Sequence, residues 1–218
     1  MIRVLIADDQ PLVRAGLRTV LSADPGIEVV AEVADGREAL AAVERVRPDV
    51  ALLDIRMPGM DGLTAAESLR AGHPALRVMI ITTFGEDRYI ARAIDAGVHG
   101  FLLKSDDPYE LIGGIKAAMN GGTVLAPAVA HRIVRVLHGG ELRDRLEARS
   151  GMEALTPRER EVLALLGAGL PNAEIGRRLH LAEGTVKIHV SAVLGKLNLT
   201  SRVQAAIYAY RAGLIPPS

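Results

Sequence analysis

The stretch VALLDIRMPGMDG at residues 50–62 joins a short apolar run to one acidic residue, Asp54, and then to a tight turn. The run Val50–Leu53 is uninterrupted, which is typical of a parallel strand buried on both faces. The Met57-Pro58-Gly59 sequence then turns the chain sharply away from the end of this run. The stretch predicts an α/β sheet in which Asp54 lies at the carboxyl end of a strand, where such sheets bind their ligands.

Two other apolar runs end in charged residues in the same way. Val4–Ala7 is followed by Asp8 and Asp9, and Phe101–Leu103 is followed by Lys104. Clustered carboxylates repel one another unless a cation lies among them, and hard oxygen ligands suit Mg²⁺. The three strand ends together predict a Mg²⁺-assisted phosphoryl-transfer site. The alternative is that each aspartate only caps the helix that follows it.

Regular alternation in the first 120 residues extends this prediction to a whole domain. Strand-like runs lie near residues 3–8, 27–34, 50–55, 77–83 and 99–103. Helical periodicity fills the gaps at Leu12–Leu21, Arg37–Val46, Leu63–Arg70, Arg88–Ala96 and Tyr109–Met119. Five such repeats with short connections predict a doubly wound, flavodoxin-like α/β fold with five parallel strands.

The composition excludes several kinds of protein. The 218 residues suffice for one or two domains with real cores, and the absence of cysteine excludes disulfides and thiolate metal sites. No signal peptide or membrane-crossing apolar run is visible, so we expect a cytoplasmic protein with no membrane partner. Residues 1–125 hold 13 basic and 18 acidic residues, whereas residues 155–218 hold 8 and 4. This asymmetry indicates two modules, the second of which faces a polyanion.

The last third of the chain contains no strand pattern. An apolar segment at Ala128–Leu137 predicts a helix, and the charged stretch Glu141–Arg149 predicts a flexible linker. Thr156 and Asn172 precede later helical segments as N-caps should, and Glu159 completes a capping box with Thr156. Four helices are predicted, at Pro157–Leu166, Asn172–Leu179, Glu183–Leu197 and Arg202–Ala212. We therefore expect a first domain at 1–122, a helix and linker at 123–152, and a small all-α domain at 153–218.

Four motifs of the first domain resemble those of response-regulator receiver domains. They are Asp8-Asp9, LLDIRMPGMDG at 52–62, the threonine pair at 82–83 and FLLK at 101–104, and the resemblance covers residues 2–120. It implies that Asp54 accepts a phosphoryl group from a sensor histidine kinase, with Mg²⁺ as cofactor. The implied metal ligands are Asp8 (largely through water), Asp9, Asp54 and the backbone carbonyl of Arg56.

The same resemblance implies roles for residues on the other side of the phosphoryl group. Thr82 and Lys104 would contact its oxygens, which agrees with the need of phosphoryl transfer for neutralised charge and positioned donors. Thr82 and Phe101 correspond to the family's switch pair, in which the hydroxyl moves toward the phosphoryl group and the aromatic ring fills the space. For Phe101 an ordinary core position is an equal alternative.

A phosphatase of the haloacid dehalogenase type is a rival from another class. Such enzymes need a second carboxylate two residues after the nucleophile to protonate the leaving group. That position holds Arg56, which cannot serve as an acid. We therefore expect a phosphoacceptor that stores the phosphoryl group, and not a turnover enzyme.

The stretch LTPREREVLALLGAGLPNAEIGRRLHLAEGTVKIHVSAVLGKLNL at 155–199 resembles the LuxR/NarL-type helix-turn-helix, and the match continues through 201–207. On its third helix an apolar arc is predicted to be buried, formed by Val186, Val190, Val193, Leu194 and Leu197. The opposite arc holds Lys187, Ile188, Ser191 and Gly195. An exposed isoleucine there suits contact with a thymine methyl group in the major groove.

These features together predict a transcriptional regulator of a bacterial two-component system. The resemblance implies that Lys187, Ile188 and Ser191 face the bases of double-stranded promoter DNA, and that Thr185 and Lys196 contact phosphates. Phosphorylation would control promoter binding by forming a homodimer or releasing the second domain. A regulator whose receiver only dimerises, without phosphorylation, is the remaining alternative.

Overall fold

The structure, a computed structural model, describes residues 1–83, 87–104, 107–122, 124–125 and 151–214. The helix expected at Ala128–Leu137 and the linker expected at Glu141–Arg149 lie outside these residues. Within them, no helix is long and apolar enough to cross a membrane.

The first domain is a parallel sheet with helices on both faces, which confirms the predicted fold. The sheet has the order β2-β1-β3-β4-β5-β6, and all of its strand pairs are parallel. Its strands are β1 (Ile2–Ala7), β2 (Ile27–Val33), β3 (Val50–Asp54), β4 (Arg77–Thr82), β5 (Gly100–Leu103) and β6 (Val124–Leu125). Its helices are α1 (Pro11–Ser22), α2 (Gly36–Val46), α3 (Gly62–Gly72), α4 (Asp87–Asp95) and α5 (Pro108–Met119).

The sixth strand is an addition to the five that the sequence predicts. β6 contains two residues and pairs with the start of β5, from Gly100↔Val124 to Phe101↔Leu125. Two residues are too few to produce a recognisable alternation or apolar run. β6 forms because one edge of β5 is free to pair with another strand. The sequence does not show which strand has a free edge.

The core of the first domain consists of one apolar cluster on each face of the sheet. Leu17 and Leu21 of α1 and Leu111 and Ile115 of α5 are buried against one face. The helices α2, α3 and α4 cover the other face, and we call their shared set of buried side chains the α4-side cluster. β3 lies in the middle of the sheet and is buried over all five residues, which places its end deep in the domain.

Over its described residues, 151–214, the second domain has a short 3₁₀ helix at Met152–Ala154 and four α-helices: α6 (Pro157–Gly167), α7 (Asn172–Leu179), α8 (Glu183–Lys196) and α9 (Arg202–Arg211). The predicted capping box is confirmed, since the Thr156 side chain accepts from the Glu159 backbone N–H and the Glu159 carboxylate accepts from that of Thr156. The predicted cap at Asn172 is wrong. Pro171 occupies the N-cap position, and the buried Asn172 amide oxygen accepts a 2.8 Å hydrogen bond from Arg202. Burial lowers the pKa of Arg202 to about 10, so this buried guanidinium needs the acceptor.

Candidate functional site

The three aspartates meet at the carboxyl edge of the sheet, as the sequence predicts. Asp54 ends β3 and is 5% exposed, whereas Asp8 directly follows β1 and is 0% exposed. Asp9 lies beside them and is exposed. One carboxylate oxygen from each residue lies within 4.8 Å of the others. The adjacency follows from the sheet order, in which β1 pairs directly with β3.

Lys104 projects between the two buried aspartates. Its Nζ lies 2.6 Å from Asp8 Oδ2 and 3.2 Å from Asp54 Oδ1, and its side chain is almost fully buried. This contact is an ion pair, and Asp8 Oδ2 receives no hydrogen bond from the described residues. The other oxygen, Oδ1, accepts a 3.0 Å hydrogen bond from the backbone N–H of Gln10. One ammonium group thus lies against two of the three carboxylates, and the net negative charge that remains suits a further cation.

The electrostatics of Asp54 follow from this crowding. Burial raises the pKa of Asp54 above its ordinary value, Lys104 opposes the rise, and the neighbouring carboxylate of Asp8 adds to it. A cation placed among these oxygens would favour the ionised form. The site is therefore arranged so that a metal ion would keep the Asp54 carboxylate ionised.

The turn after β3 is shaped by Gly62. A Cβ atom at this position would overlap the carbonyl oxygen of Asp54, so only glycine allows α3 to begin so close to the strand end. The Gly62 N–H donates a 3.0 Å hydrogen bond to the Ile55 carbonyl. Asp61 caps α3 by accepting from the Thr64 N–H at 2.6 Å, and it also accepts from Arg92 of α4 at 3.1 Å. Burial alone would raise the pKa of Asp61, but these hydrogen bonds outweigh it and lower that pKa.

The remaining predicted residues of the first domain, Thr82, Phe101 and Arg56, differ in burial and in their position relative to the acidic site. Thr82 ends β4 and is buried, and its carbonyl accepts a 2.8 Å hydrogen bond from the Lys104 N–H, so both residues border the acidic site. Phe101 is fully buried in β5 and belongs to the α4-side cluster, two residues along the strand from the site edge. The Arg56 side chain is exposed in the loop after β3.

Two contributors to the site were missed from the sequence. The Arg14 guanidinium donates to the Asp8 backbone carbonyl, which holds the β1–α1 loop. Gly62 also lies outside the predicted site residues, although the sequence places the Asp61-Gly62 pair at the start of the next helix. Its signal was the Asp61-Gly62 pair, since an aspartate before a glycine at a helix start favours a tight, capped entry.

The predicted faces of α8 are confirmed in the second domain. Val186 and Val193 are fully buried, and Val190, Leu194 and Leu197 pack against the same core. The opposite stripe is exposed: Lys187, Ile188, Ser191 and Gly195. Ile188 is 70% exposed, one of few large apolar side chains at the surface of the described residues. We call α8 the recognition helix because it carries the residues that the sequence predicts to face DNA.

Three of the residues that are predicted to contact DNA differ in their contacts within the protein. Lys187 pairs with Glu183 at 3.0 Å across one exposed helical turn, a weak contact in water. Lys196 pairs with Glu159 at 2.7 Å, and that carboxylate also holds the capping box of α6. Thr185 is half-buried at the start of the helix. A phosphate contact by Lys196 would therefore compete with a structural ion pair.

The first domain is a flavodoxin-like sheet with clustered aspartates and a lysine at its carboxyl edge. A helical domain with an exposed recognition helix follows it. Together these features define the class as a response regulator with a DNA-binding domain. Residues 4–116 match the family model described as response regulator receiver domain. Residues 153–209 match the model described as bacterial regulatory proteins, luxR family. The chain belongs to the response regulators with a LuxR-type DNA-binding domain.

Known proteins support this assignment. The chain is 38% identical over 214 residues to the uncharacterized transcriptional regulatory protein YxjL of Bacillus subtilis, covering 98% of this chain and 97% of that protein. It is 37% identical over 215 residues to the response regulator protein VraR of Staphylococcus aureus, covering 98% and 99%. Among solved structures, the response regulator ChrA of a heme-sensing two-component system is 35% identical with a TM-score of 0.54, covering 98% of both chains. A LuxR-family response regulator from Aurantimonas is 33% identical with a TM-score of 0.60, covering 63% of this chain and 99% of that one.

Proposed function

We propose that this protein is a phosphorylation-controlled transcription regulator in which Asp54 is the phosphoacceptor. The observation that carries the proposal is the position of Asp54, nearly buried between Lys104 and the carboxylates of Asp8 and Asp9. The proposed units are the receiver at 1–122, the helix and linker at 123–152 and the DNA-binding domain at 153–218. The sensor histidine kinase is the proposed phosphoryl donor.

Each residue around Asp54 has a task in the proposed transfer. An Asp54 carboxylate oxygen attacks phosphorus, and the bond from phosphorus to the donor's histidine nitrogen breaks as the new oxygen–phosphorus bond forms. Lys104 neutralises charge on the phosphoryl oxygens, and the Thr82 hydroxyl donates a hydrogen bond to one of them. Arg56 stands two residues after Asp54, where a phosphatase of the rival class would need a carboxylic acid to protonate the leaving group. This favours storage of the phosphoryl group over catalytic turnover.

Mg²⁺ is the proposed cofactor of this site. The residues fit a hard cation because they offer three carboxylates, one of them with a buried oxygen that lacks a hydrogen-bond donor. The proposed ligands are Asp8, Asp9, Asp54 and the backbone carbonyl of Arg56. When bound, the ion would neutralise charge on the transferred phosphoryl group.

The labelling test uses acetyl phosphate as a small phosphoryl donor. Radiolabelled acetyl phosphate with Mg²⁺ should label the wild-type chain, whereas the Asp54→Asn variant and a sample with chelator should remain unlabelled. Asp35→Asn is the matched control, because Asp35 caps α2, does not belong to the acidic cluster, and can be replaced by asparagine, which caps equally well. Equal labelling of wild type and Asp54→Asn would refute the assignment, and absence of label on both chains would favour a receiver that only dimerises. Rapid release of phosphate under turnover would favour the phosphatase.

DNA binding is proposed to run through the recognition helix, with Lys187, Ile188 and Ser191 facing bases. Thr185 and Lys196 are the proposed phosphate contacts, and a phosphorylated homodimer would bind two half-sites of promoter DNA. Binding of duplex DNA should weaken steeply as salt rises, because phosphate contacts release counterions. An affinity that does not change with salt would argue against this interface.

A further inference from the structure

Three basic side chains meet at the amino edge of the receiver sheet, the edge opposite the acidic site. Arg77 begins β4, His99 directly precedes β5, and Arg70 lies in the last turn of α3. All three residues are half-buried. Arg77 Nη1 lies 3.1 Å and Arg70 Nη1 3.4 Å from the same atom, His99 Nε2. We call these three residues the basic cluster.

The neighbouring strand β4 fixes the His99 ring and thereby decides where its proton lies. The His99 backbone N–H donates a 2.7 Å hydrogen bond to the Val78 carbonyl, and the Val78 N–H donates a 3.1 Å hydrogen bond to His99 Nδ1. Because Nδ1 accepts this bond, the proton of the neutral ring is on Nε2. A protonated ring also carries a proton there. His99 Nε2 is therefore a donor, and it cannot accept from either guanidinium.

Three donors consequently converge at a point where the described residues supply no acceptor. In that part of the chain, Arg70 has the Thr200 carbonyl as its acceptor, at 2.8 Å from Nη2, and neither arginine is paired with a carboxylate. Arg70 Nε is buried and has no hydrogen-bond partner there. Burial lowers the pKa of both arginines, and the charge of Arg77 lowers that of Arg70 further. Two partly desolvated positive charges thus lie side by side, which is unfavourable unless an anion joins them.

We propose that the basic cluster binds a small tetrahedral oxyanion of the phosphate type, as the free ion or as the end group of a small phosphate ester. The cluster has two positive charges and donors on three different side chains. A phosphate group carries close to two negative charges at neutral pH and has an oxygen for each donor. A carboxylate has one charge and two oxygens. Arginine also matches phosphate geometry, since one guanidinium can donate two parallel hydrogen bonds.

The surroundings of Arg70 favour a small ion over a nucleic-acid backbone. Thr200 lies beside Arg70, and its Oγ1 would be 2.6 Å from a Cβ atom at Gly97. This side of the guanidinium is therefore closed. A half-buried cluster with one closed side accommodates a single phosphate group, whereas the continuous phosphate row of a duplex needs an open surface. The site lies at the other edge of the sheet from Asp54, and it depends neither on Mg²⁺ nor on phosphorylation.

The test follows the His99 ring by NMR in the full-length chain with ¹⁵N-labelled histidine and labelled backbone amides. Sodium phosphate is added at neutral pH without Mg²⁺, and sodium chloride keeps the ionic strength constant. The His99 Nε2 and Val78 N–H resonances should shift and then saturate, because the ion accepts from Nε2–H on a ring that Val78 holds. Sulfate, which has the same shape, should compete with phosphate, and acetate should not. Glycerol phosphate in place of phosphate shows whether the free ion or an ester binds more tightly.

Variants of Arg77 separate a built site from general attraction between charges. Arg77→Gln should weaken phosphate binding at least about tenfold, because it removes a charged donor. Arg77→Lys should lie between this variant and wild type, since it keeps the charge but not the paired donors. Arg45→Gln is the matched control: Arg45 is an exposed arginine in the last turn of α2, and its loss should leave the affinity unchanged.

Thermal denaturation gives a second measurement that does not depend on assigned resonances. Phosphate should raise the Tm of wild type and of Arg45→Gln, because a ligand of the folded state stabilises it, and should raise that of Arg77→Gln much less. If Arg77→Gln does not fold, Arg77→Lys supplies the comparison in both measurements.

Three results would overturn the proposal. A His99 shift that grows linearly with phosphate without saturating would mean that no site exists. Equal phosphate affinity in wild type and Arg77→Gln would place the ion elsewhere on the chain. Tighter binding of acetate than of phosphate would show a carboxylate site and not one for a tetrahedral oxyanion. 

Discussion

His99 supplies a pH-dependent prediction that can be worked through from its surroundings. The ring lies just before β5, where its Nδ1 accepts a 3.1 Å hydrogen bond from the Val78 N–H. Its Nε2 lies 3.1 Å from Arg77 Nη1 and 3.4 Å from Arg70 Nη1. Burial, together with the positive charges of Arg70 and Arg77, lowers the pKa of His99 to about 3. Between these two pKa values, the ordinary 6.5 and the folded value of about 3, the ring is therefore neutral in the folded protein and protonated in the unfolded chain.

The sign and size of the effect follow from proton linkage. Below the ordinary pKa of 6.5 the unfolded chain binds a proton that the folded chain does not, so the free energy of unfolding falls as the pH falls toward 3. At about 1.4 kcal/mol per pH unit, lowering the pH from 7.5 to 5.0 should cost about 2 kcal/mol at this residue. The cost at pH 5.0 depends on the unfolded-state pKa, because the folded ring stays almost wholly neutral there.

The assay compares urea denaturation of wild type and His99→Asn at pH 7.5 and 5.0 at constant ionic strength. Asparagine keeps an acceptor near Val78 but does not titrate, so the variant should lose about 2 kcal/mol less than wild type on acidification. His180→Asn is the matched control, since His180 is exposed in a left-handed conformation that asparagine tolerates. Proton NMR of the ring should place the pKa of His99 below 4. A pKa near 6, or equal acid losses in wild type and His99→Asn, would refute the reasoning.

Three further predictions concern the phosphorylation site and the recognition helix. Lys104→Met leaves two buried carboxylates without their ammonium partner, so it should lower the free energy of unfolding by about 3 kcal/mol without metal, and Mg²⁺ should restore much of the loss in thermal denaturation. A variant as stable as wild type would contradict this. Gly62→Ala forces a Cβ onto the Asp54 carbonyl and should cost about 3 kcal/mol by urea denaturation, whereas Gly16→Ala, with open space around it, should not destabilise the protein. Ile188→Ala should change stability by less than about 0.5 kcal/mol but weaken duplex binding about tenfold by fluorescence anisotropy; unchanged affinity would remove this residue from the interface.

Local sequence patterns determined the elements of this protein closely. The apolar run before Asp54 predicts a fully buried strand, and β3 ends at that residue because the next positions leave the sheet for a turn. The capping box of Thr156 and the two faces of α8 were also predictable, since both depend on residues within a few turns of one helix. These features need only the geometry of a strand or a helix, which neighbouring residues set.

Tertiary structure decided everything that depends on which distant elements become neighbours. Lys104 reaches Asp8 and Asp54 because the strands that carry these residues end at one edge of the sheet. The sequence predicts this convergence but not the distances of the two ion pairs. Asn172 looked like a cap, yet it serves Arg202, thirty residues away, because a buried guanidinium needs an acceptor.

The α9 helix gives the clearest division between the two sources. The sequence predicts this helix at Arg202–Ala212 and has apolar residues on two of its sides, Val203 and Ile207 on one and Ala205 and Ala209 on the other. Only the folded chain decided that the receiver covers the first pair, since burial of an apolar face depends on what lies opposite it. The same is true of His99, whose low pKa is produced first by burial and then by two arginines brought to it from other elements.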